Sequence, residues 1–221
     1  MEAMKPLQLQ AYEALRARLA EGAFAPGVLY SETRTARELG ISRTPTRDAI
    51  QRLAQEGYVD VLPSRGFRLH RLTERDVVET YQVRSALEGY CAIQLSQSLE
   101  TPAARETLAA LEALAAEQRA VLEGDGSVEA FTRLDEAFHR RLVAWADNAA
   151  IAGMYDAFCH RMERQTRATL AAPGRMAETL AEHREIVEQI RTGSLAGAYG
   201  AVLAHLDRTR AMALAQGVEE A

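Results

Sequence analysis

From Thr73 onward every strand signal disappears, and the chain is written in Ala, Leu, Glu and Arg with breaks near Thr101-Pro102, Gly124-Asp125-Gly126, Asp147-Asn148, Pro173-Gly174 and Thr192-Gly193. Those breaks cut out six helices, roughly 73–98, 102–123, 127–146, 149–170, 175–191 and 194–216. Ser127 and Ser194 are N-cap candidates, and Thr73 followed by Asp76 forms an [ST]-x-x-[DE] box. About 150 residues of helical pattern without a strand can bury their apolar stripes only against one another, so an all-α bundle is predicted over 73–221.

The first 72 residues read differently. Leu7, Ala11, Leu15 and Leu19 make an i, i+4 stripe that predicts a helix over 6–21, closed by Gly22 to Gly27. A short helical pattern after Ser31 ends at Leu39, and Gly40-Ile41-Ser42 turns into a second helix bearing Ala49, Ile50 and Leu53 on one face. Two short helices joined by a Gly-containing turn form a helix-turn-helix. Tyr58–Leu62 and Phe67–His70 are strand-like around Pro63-Ser64-Arg65-Gly66, so a hairpin follows. The predicted fold is mainly α: a winged helix-turn-helix with a small β-hairpin wing over 1–72, then the helical bundle over 73–221.

The chain's 221 residues are 48% hydrophobic and 26% charged, a globular composition that excludes a disordered or fibrous protein. Its longest uncharged stretch, the 15 residues Thr192–Leu206, falls short of the roughly 20 apolar residues of a membrane span. The start, Met1-Glu2-Ala3-Met4-Lys5-Pro6, does not read as a secretory signal, and a cytoplasmic location is expected. Cys91 and Cys159 lack CxxC spacing, which suits a reducing compartment, and both read as small buried hydrophobes. Net charge is −5 overall, yet residues 1–72 hold 11 Lys and Arg against 8 Asp and Glu while the remainder holds 15 against 23. A basic head on an acidic body suits a polyanion partner at one end only.

The stretch Ser42-Arg43-Thr44-Pro45-Thr46-Arg47-Asp48 puts Pro45 in the first helical turn, where its missing N–H costs nothing. Arg43 and Arg47 stand one turn apart on one face, and their charge at a helix N-terminus opposes the macrodipole and calls for an anion such as phosphate. Guanidinium also matches the O6/N7 acceptor pair of guanine in the major groove. Ser42 and Thr44 can cap the helix or donate to phosphate, and Gly66 lets a hairpin tip approach a backbone or groove. The bland alternative, arginines on a merely solvated face, gives way to the agreement of turn, proline and hairpin.

Ser31-Glu32, Leu39-Gly40-Ile41-Ser42-Arg43-Thr44-Pro45, Arg47-Asp48-Ala49, Arg52-Leu53, Glu56-Gly57, Val59 and Pro63-Ser64-Arg65-Gly66 together resemble the GntR family of bacterial transcription regulators. The resemblance implies DNA contacts from Arg43, Thr44 and Arg47 on the recognition helix, with Gly66 serving the wing; Arg65, beside it in the wing motif, is a further candidate DNA-binding residue. The chain departs from the family at Tyr30, Thr33, Thr35 and Thr46; Thr33 stands where a phosphate-contacting arginine is usual, and the neighbouring Arg34 is the candidate substitute, rotated roughly 100° around the helix.

In the third bundle helix Phe131, Leu134, Phe138, Leu142 and Trp145 define an apolar arc that includes Asp135, with His139 at its edge. His183 sits within the arc Met176, Leu180, Val187, Ile190, and His205 at the margin of Ala198, Tyr199, Val202, Leu206. An acid on a core face needs a partner. Each histidine alone reads as a hydrogen-bonded core residue; the four groups together offer N₃O ligation to a divalent cation, Zn²⁺ ahead of Ni²⁺ or Mn²⁺. Glu136 and Glu182, beside these residues in sequence, are expected to point away from the arcs, and His70 and His160 match no ligand position.

Asp135-x-x-Phe138-His139, Glu182-His183-Arg184 and Ala204-His205-Leu206 also resemble the FCD type of C-terminal domain in the FadR branch of that family. The resemblance implies that Asp135, His139, His183 and His205 hold the metal and that a small organic acid completes its coordination. Arg84 is a candidate grip for the acid's second oxygen, with a salt bridge to Glu88 as the equal alternative. The expected protein is a ligand-responsive regulator of double-stranded operator DNA, a homodimer, and no enzyme. Two alternatives stand beside it: a regulator whose ion is purely structural with no effector, and a metal-dependent hydrolase, against which no HExxH motif or placed general base is found.

Overall fold

The computed structural model describes residues 6–217, with the side chains of residues 20 and 160–164 excepted. The readings made for Met1–Lys5 and for the His160 side chain lie outside the described residues. The chain separates at Leu72/Thr73 into two compact units.

The first unit contains α1 (Leu7–Ala20), α2 (Glu32–Leu39), α3 (Arg43–Gln55), β1 (Val59–Leu62) and β2 (Gly66–Leu69). Ser31 caps α2 by accepting from the Arg34 N–H. Gly40 ends it with φ 65°, where the Ile41 N–H reaches back to the Ala36 carbonyl and the Gly40 N–H to that of Arg37. That pair of bonds is a Schellman turn, and it sets the bend between α2 and α3. Ala11, Tyr12 and Leu15 of α1 pack on Ala49, Ile50 and Leu53 of α3, with Phe24, Val59 and Phe67 closing the core. Tyr30 exchanges both backbone hydrogen bonds with Phe67, at 2.7 and 2.9 Å, adding a one-residue bridge to the antiparallel hairpin. Its hydroxyl accepts from the Ala25 N–H, and Phe24 meets its ring edge-on at 4.8 Å, so the tyrosine locks the loop before α2 onto the wing.

The second unit holds α4 (Glu74–Gln97), α5 (Pro102–Glu123), α6 (Val128–Ala144), α7 (Ala149–Leu170), α8 (Arg175–Arg191) and α9 (Leu195–Ala215). The predicted capping box is present: Thr73 accepts from the Asp76 N–H, and the Asp76 carboxylate accepts from the Thr73 N–H. Ser127 and Ser194 cap α6 and α9. α4 packs along α9, α9 on α8, α8 on α5, α5 on α6 and α6 back on α4, with α7 against α4 and α6. The ring leaves one interior that five helices share. Gly89 of α4 lies under the Tyr199 ring, where a Cβ would stand 2.5 Å from Cε2. Tyr199 therefore lies over the α4–α9 seam and is 38% exposed, not on the inward side as its position in the arc suggested. Cys91 is buried, whereas Cys159 is only partly so, against the reading of both as core residues.

Gly66 has φ +122°, and a Cβ there would stand 2.0 Å from the Tyr30 carbonyl oxygen, an overlap with backbone that no rotamer relieves. Gly27 has φ +74° but open space around it. Gly66→Ala is expected to cost the first unit about 2–3 kcal/mol, against about 1 kcal/mol for Gly27→Ala from backbone strain alone. Urea unfolding of the two variants checks this, and equal losses would contradict it.

Candidate metal centre and nucleic-acid interface

α3 is anchored through Pro45, Thr46, Ala49, Ile50 and Leu53, all buried, which turns Arg43, Thr44 and Arg47 outward. Ser42 is the N-cap residue, but its side chain makes no capping bond and stays exposed, and no acid lies in the first turn. Its carbonyl instead accepts the Thr46 hydroxyl at 3.0 Å, which satisfies a polar group buried where the family pattern has an apolar one. Asp48 is drawn back to α1 by Gln8 at 2.7 Å and does not neutralise Arg47. Among the described residues no ion pair or hydrogen bond engages the guanidinium of Arg43, Arg47 or Arg65. Arg43 and Arg47 stand beside the first N–H groups of α3, where the field of a helix start favours an anion.

Arg34 differs from these three. Its Nε donates to Glu38 at 2.9 Å, and Arg18 donates to the same carboxylate at 3.0 Å, which together hold Glu38 below its ordinary pKa. The Arg34 side chain is nonetheless 81% exposed. Arg65 sits exposed at the hairpin tip after Ser64, whose φ is 61°. Gly66 is buried against Tyr30, so its missing side chain answers a need inside the chain.

In the bundle interior Asp135 and His139 project from one face of α6, His183 from α8 and His205 from α9, and all four are buried. The three imidazoles face a common point. One ring nitrogen from each lies within 4.8 Å of the others, His139 Nε2 stands 3.2 Å from His205 Nε2, and Asp135 Oδ1 is 3.5 Å from His183 Nε2 and 3.9 Å from His139 Nε2. Phe138 stacks on His183 with centroids 4.1 Å apart and an interplanar angle of 3°, fixing the ring plane.

Each Nδ1 is held from outside the cluster: that of His139 by Glu88 Oε2 at 2.7 Å, that of His205 by Glu182 Oε2 at 2.7 Å, and that of His183 by Gln118 Oε1 at 2.9 Å. Acceptors at all three positions assign the protons to Nδ1 and leave lone pairs on the Nε2 atoms that face inward. Burial, followed by the neighbouring imidazoles and arginines, pushes His183 well below its ordinary pKa, and burial lowers His205 despite Glu182. Among the described residues His183 Nε2 has no hydrogen-bond partner. Converging lone pairs, one of them orphaned, beside a carboxylate fit a divalent cation, and outer hydrogen bonds of this kind are what orient metal-binding imidazoles.

The outer acids are themselves sealed. Burial alone would raise Glu88, but Arg84 and His139 bring it to about 2; Glu182 is likewise brought to about 2, against burial, by His205 and Arg175. Arg84 Nε donates to Glu88 Oε1 at 2.6 Å with 7% of its side chain exposed, so of its two readings the ion pair is the one formed. Arg175 grips Glu182 with both Nη atoms at 2.8 Å and also donates to Thr209. Glu182 thus points inward and holds His205, contrary to the expectation that it turns away. Glu136 does turn away, to Arg140. Gln118 and Arg175 were not singled out in the sequence, and Glu88 was read there only as a partner for Arg84 and Glu182 only as turned away; Glu88 and Gln118 nevertheless continue the buried stripes of their helices at spacings of three and four. His70 belongs to the wing, 2.7 Å from Asp60.

Residues 7–69 match the pattern of the bacterial regulatory proteins of the gntR family, and residues 79–208 that of the FCD domain. An HTH-type transcriptional regulator from the ttuE-ttuC' intergenic region of Agrobacterium vitis is 37% identical over 136 residues, 62% of this chain and 78% of its own. The HTH-type transcriptional regulator YdhC of Bacillus subtilis is 30% identical over 204 residues, 91% of this chain and 88% of its own. The solved structure of Escherichia coli McbR/YncC has the same fold, with a TM-score of 0.74 at 22% identity over 96% of this chain and 99% of that one. Among the described residues no helix is long and apolar enough to cross a membrane. With its helix-turn-helix, wing and helical ring all accounted for, the chain belongs to the gntR family of bacterial regulatory proteins and is a DNA-binding transcriptional regulator of the GntR/FCD type.

Proposed function

We propose that this regulator, of the FadR branch, is a cytoplasmic homodimer that senses a small organic acid through a divalent metal centre in its bundle. Residues 1–72 read operator DNA and residues 73–221 carry the sensing and dimerisation functions. The observation that carries the sensing half is the convergence of three Nε2 lone pairs and the Asp135 carboxylate, with every Nδ1 held from behind. His139, His183, His205 and Asp135 would hold the ion, with Zn²⁺ the first choice for an imidazole-rich set and Ni²⁺ or Mn²⁺ behind it. The ion supplies Lewis acidity and an attachment point for a carboxylate. Arg84, committed to Glu88, steadies His139 and contributes positive potential toward the acid.

On the DNA side Arg43, Thr44 and Arg47 enter the major groove, Ser42 and Arg34 meet phosphate, and Arg65 follows the groove edge from a wing whose sharp turn Gly66 permits. Support comes from the exposed state of Arg43 and Arg47 at the start of α3 and of Arg65 at the hairpin tip, none of them paired among the described residues. Two recognition helices in a dimer would meet half-sites one helical turn apart.

Arg47→Ala is expected to weaken binding to an operator duplex by about 1–3 kcal/mol at fixed salt, read by fluorescence anisotropy; unchanged affinity would remove α3 as the reading helix. His183→Ala is expected to abolish stoichiometric metal in elemental analysis while DNA binding by the folded protein persists, and retention of the metal would overturn the ligand set. Restoring Zn²⁺ to chelator-treated protein at 100 times its dissociation constant is expected to stabilise the bundle by about 2.7 kcal/mol. A calorimetric melt unmoved by the metal would contradict this reading.

A further inference from the structure

The three imidazoles are not held alike. His139 and His205 donate to carboxylates, and each carboxylate is matched by a buried arginine, Glu88 by Arg84 and Glu182 by Arg175. His183 donates to a neutral amide, Gln118, itself 0% exposed and with its Nε2 unpartnered. With the two Arg–Glu pairs cancelling and the imidazoles neutral, Asp135 leaves this buried shell one negative charge. Arg208, which also reaches Glu182, and Glu178, which also reaches Arg175, lie at the surface with 66% and 64% of their side chains exposed. A divalent cation at the converging Nε2 atoms therefore brings the interior to one net positive charge, in a place where an unpaired charge is not tolerated.

We propose that Gln118 is the positioning residue that makes the loaded centre an anion receptor: it orients His183 without adding charge, and so leaves one positive charge for a carboxylate to neutralise. The inference rests on the metal reading above. A glutamate at this position would hold His183 by the same bond, strengthen it as a ligand and neutralise the loaded shell from within. The cation would still bind, and the reason for an anion to follow would be gone.

The test loads the full chain with Co²⁺, whose d–d absorption reports the ligands around the ion, and titrates acetate into wild type, Gln118→Glu and Gln118→Met. Co²⁺ binding at least as tight in Gln118→Glu as in wild type is expected, with an acetate dissociation constant raised about tenfold or more. Gln118→Met, neutral but unable to accept from His183, is expected to bind Co²⁺ more weakly and to respond to acetate as wild type does. This separates charge from hydrogen bonding and keeps the test decisive where the Glu variant fails to fold. Unchanged acetate affinity in loaded Gln118→Glu, or a lost response in loaded Gln118→Met, overturns the role of Gln118 alone. Wild-type protein that takes up no Co²⁺ overturns the metal reading itself, and a loaded wild type indifferent to acetate overturns the carboxylate reading.

Discussion

Three hydrogen bonds running outward from buried imidazoles organise the larger unit. By accepting hydrogen bonds from the Nδ1–H groups, Glu88, Gln118 and Glu182 turn three Nε2 lone pairs toward one another, an arrangement that repels until something positive stands among them. The acceptors impose demands in turn. Two carboxylates in the core require two guanidinium groups, and desolvating such pairs consumes much of what their attraction returns. Gln118 Nε2, Tyr81 Oη, Thr179 Oγ1, Arg175 Nε and His183 Nε2 find no hydrogen-bond partner among the described residues. Buried ion pairs of this kind are a costly way to stabilise a fold, and a polar interior lined by them suits a polar guest.

The smaller unit follows the opposite logic. Its interior is apolar and aromatic, with Phe24, Tyr30 and Phe67 packed ring against ring, and its unpaired charge stands outside on Arg43, Arg47 and Arg65. Two of the chain's departures from the family pattern are absorbed locally. Thr46 keeps its hydroxyl bonded to the Ser42 carbonyl, and Tyr30 uses ring and hydroxyl together to fasten the wing. The recognition helix is therefore held by the same kind of contacts that a leucine or valine would supply, with one hydrogen bond added.

Helix order was legible because breakers and caps are local: Thr73, Ser127 and Ser194 cap where their sequence context says they should, and the six bundle helices end within a few residues of the Gly, Pro and Asn breaks. The inward tilt of Asp135, His139, His183 and His205 could likewise be read from helical spacing. The outer shell could not, because its partners lie far apart in the chain, His139 and Glu88 by 51 residues and His183 and Gln118 by 65. Glu182 illustrates the limit. Its Cα lies about 100° from that of His183 on the helix, which suggests a surface position, but a long side chain and the Arg175 fork two turns earlier draw it inside. The stripes offered a clue: Val77, Tyr81, Arg84, Glu88, Cys91 and Leu95 keep spacings of three and four, as do Ala104, Leu108, Leu111, Ala115 and Gln118. Polar residues in register with a buried stripe are functional candidates even when nothing nearby in sequence explains them.

α4 is the element through which events at the proposed centre would be felt elsewhere. Its start is fixed by the Thr73–Asp76 capping box immediately after the first unit ends, and Glu88 lies fourteen residues along it, roughly 20 Å of continuous helix from its first turn. Occupation of the proposed centre would act on His139, which is joined to α4 through Glu88 and the Arg84 pair. A rigid helix carries displacement without carrying energy of its own, so the regulatory effect is bounded by how much better the acid binds one placement of α4 than another. An acid indifferent to that placement would fill the site tightly and regulate nothing. Tight binding and effective signalling are therefore separate demands on the same residues: the neutral grip of Gln118 on His183 would govern the first, and the charged grip of Glu88 on His139 the second.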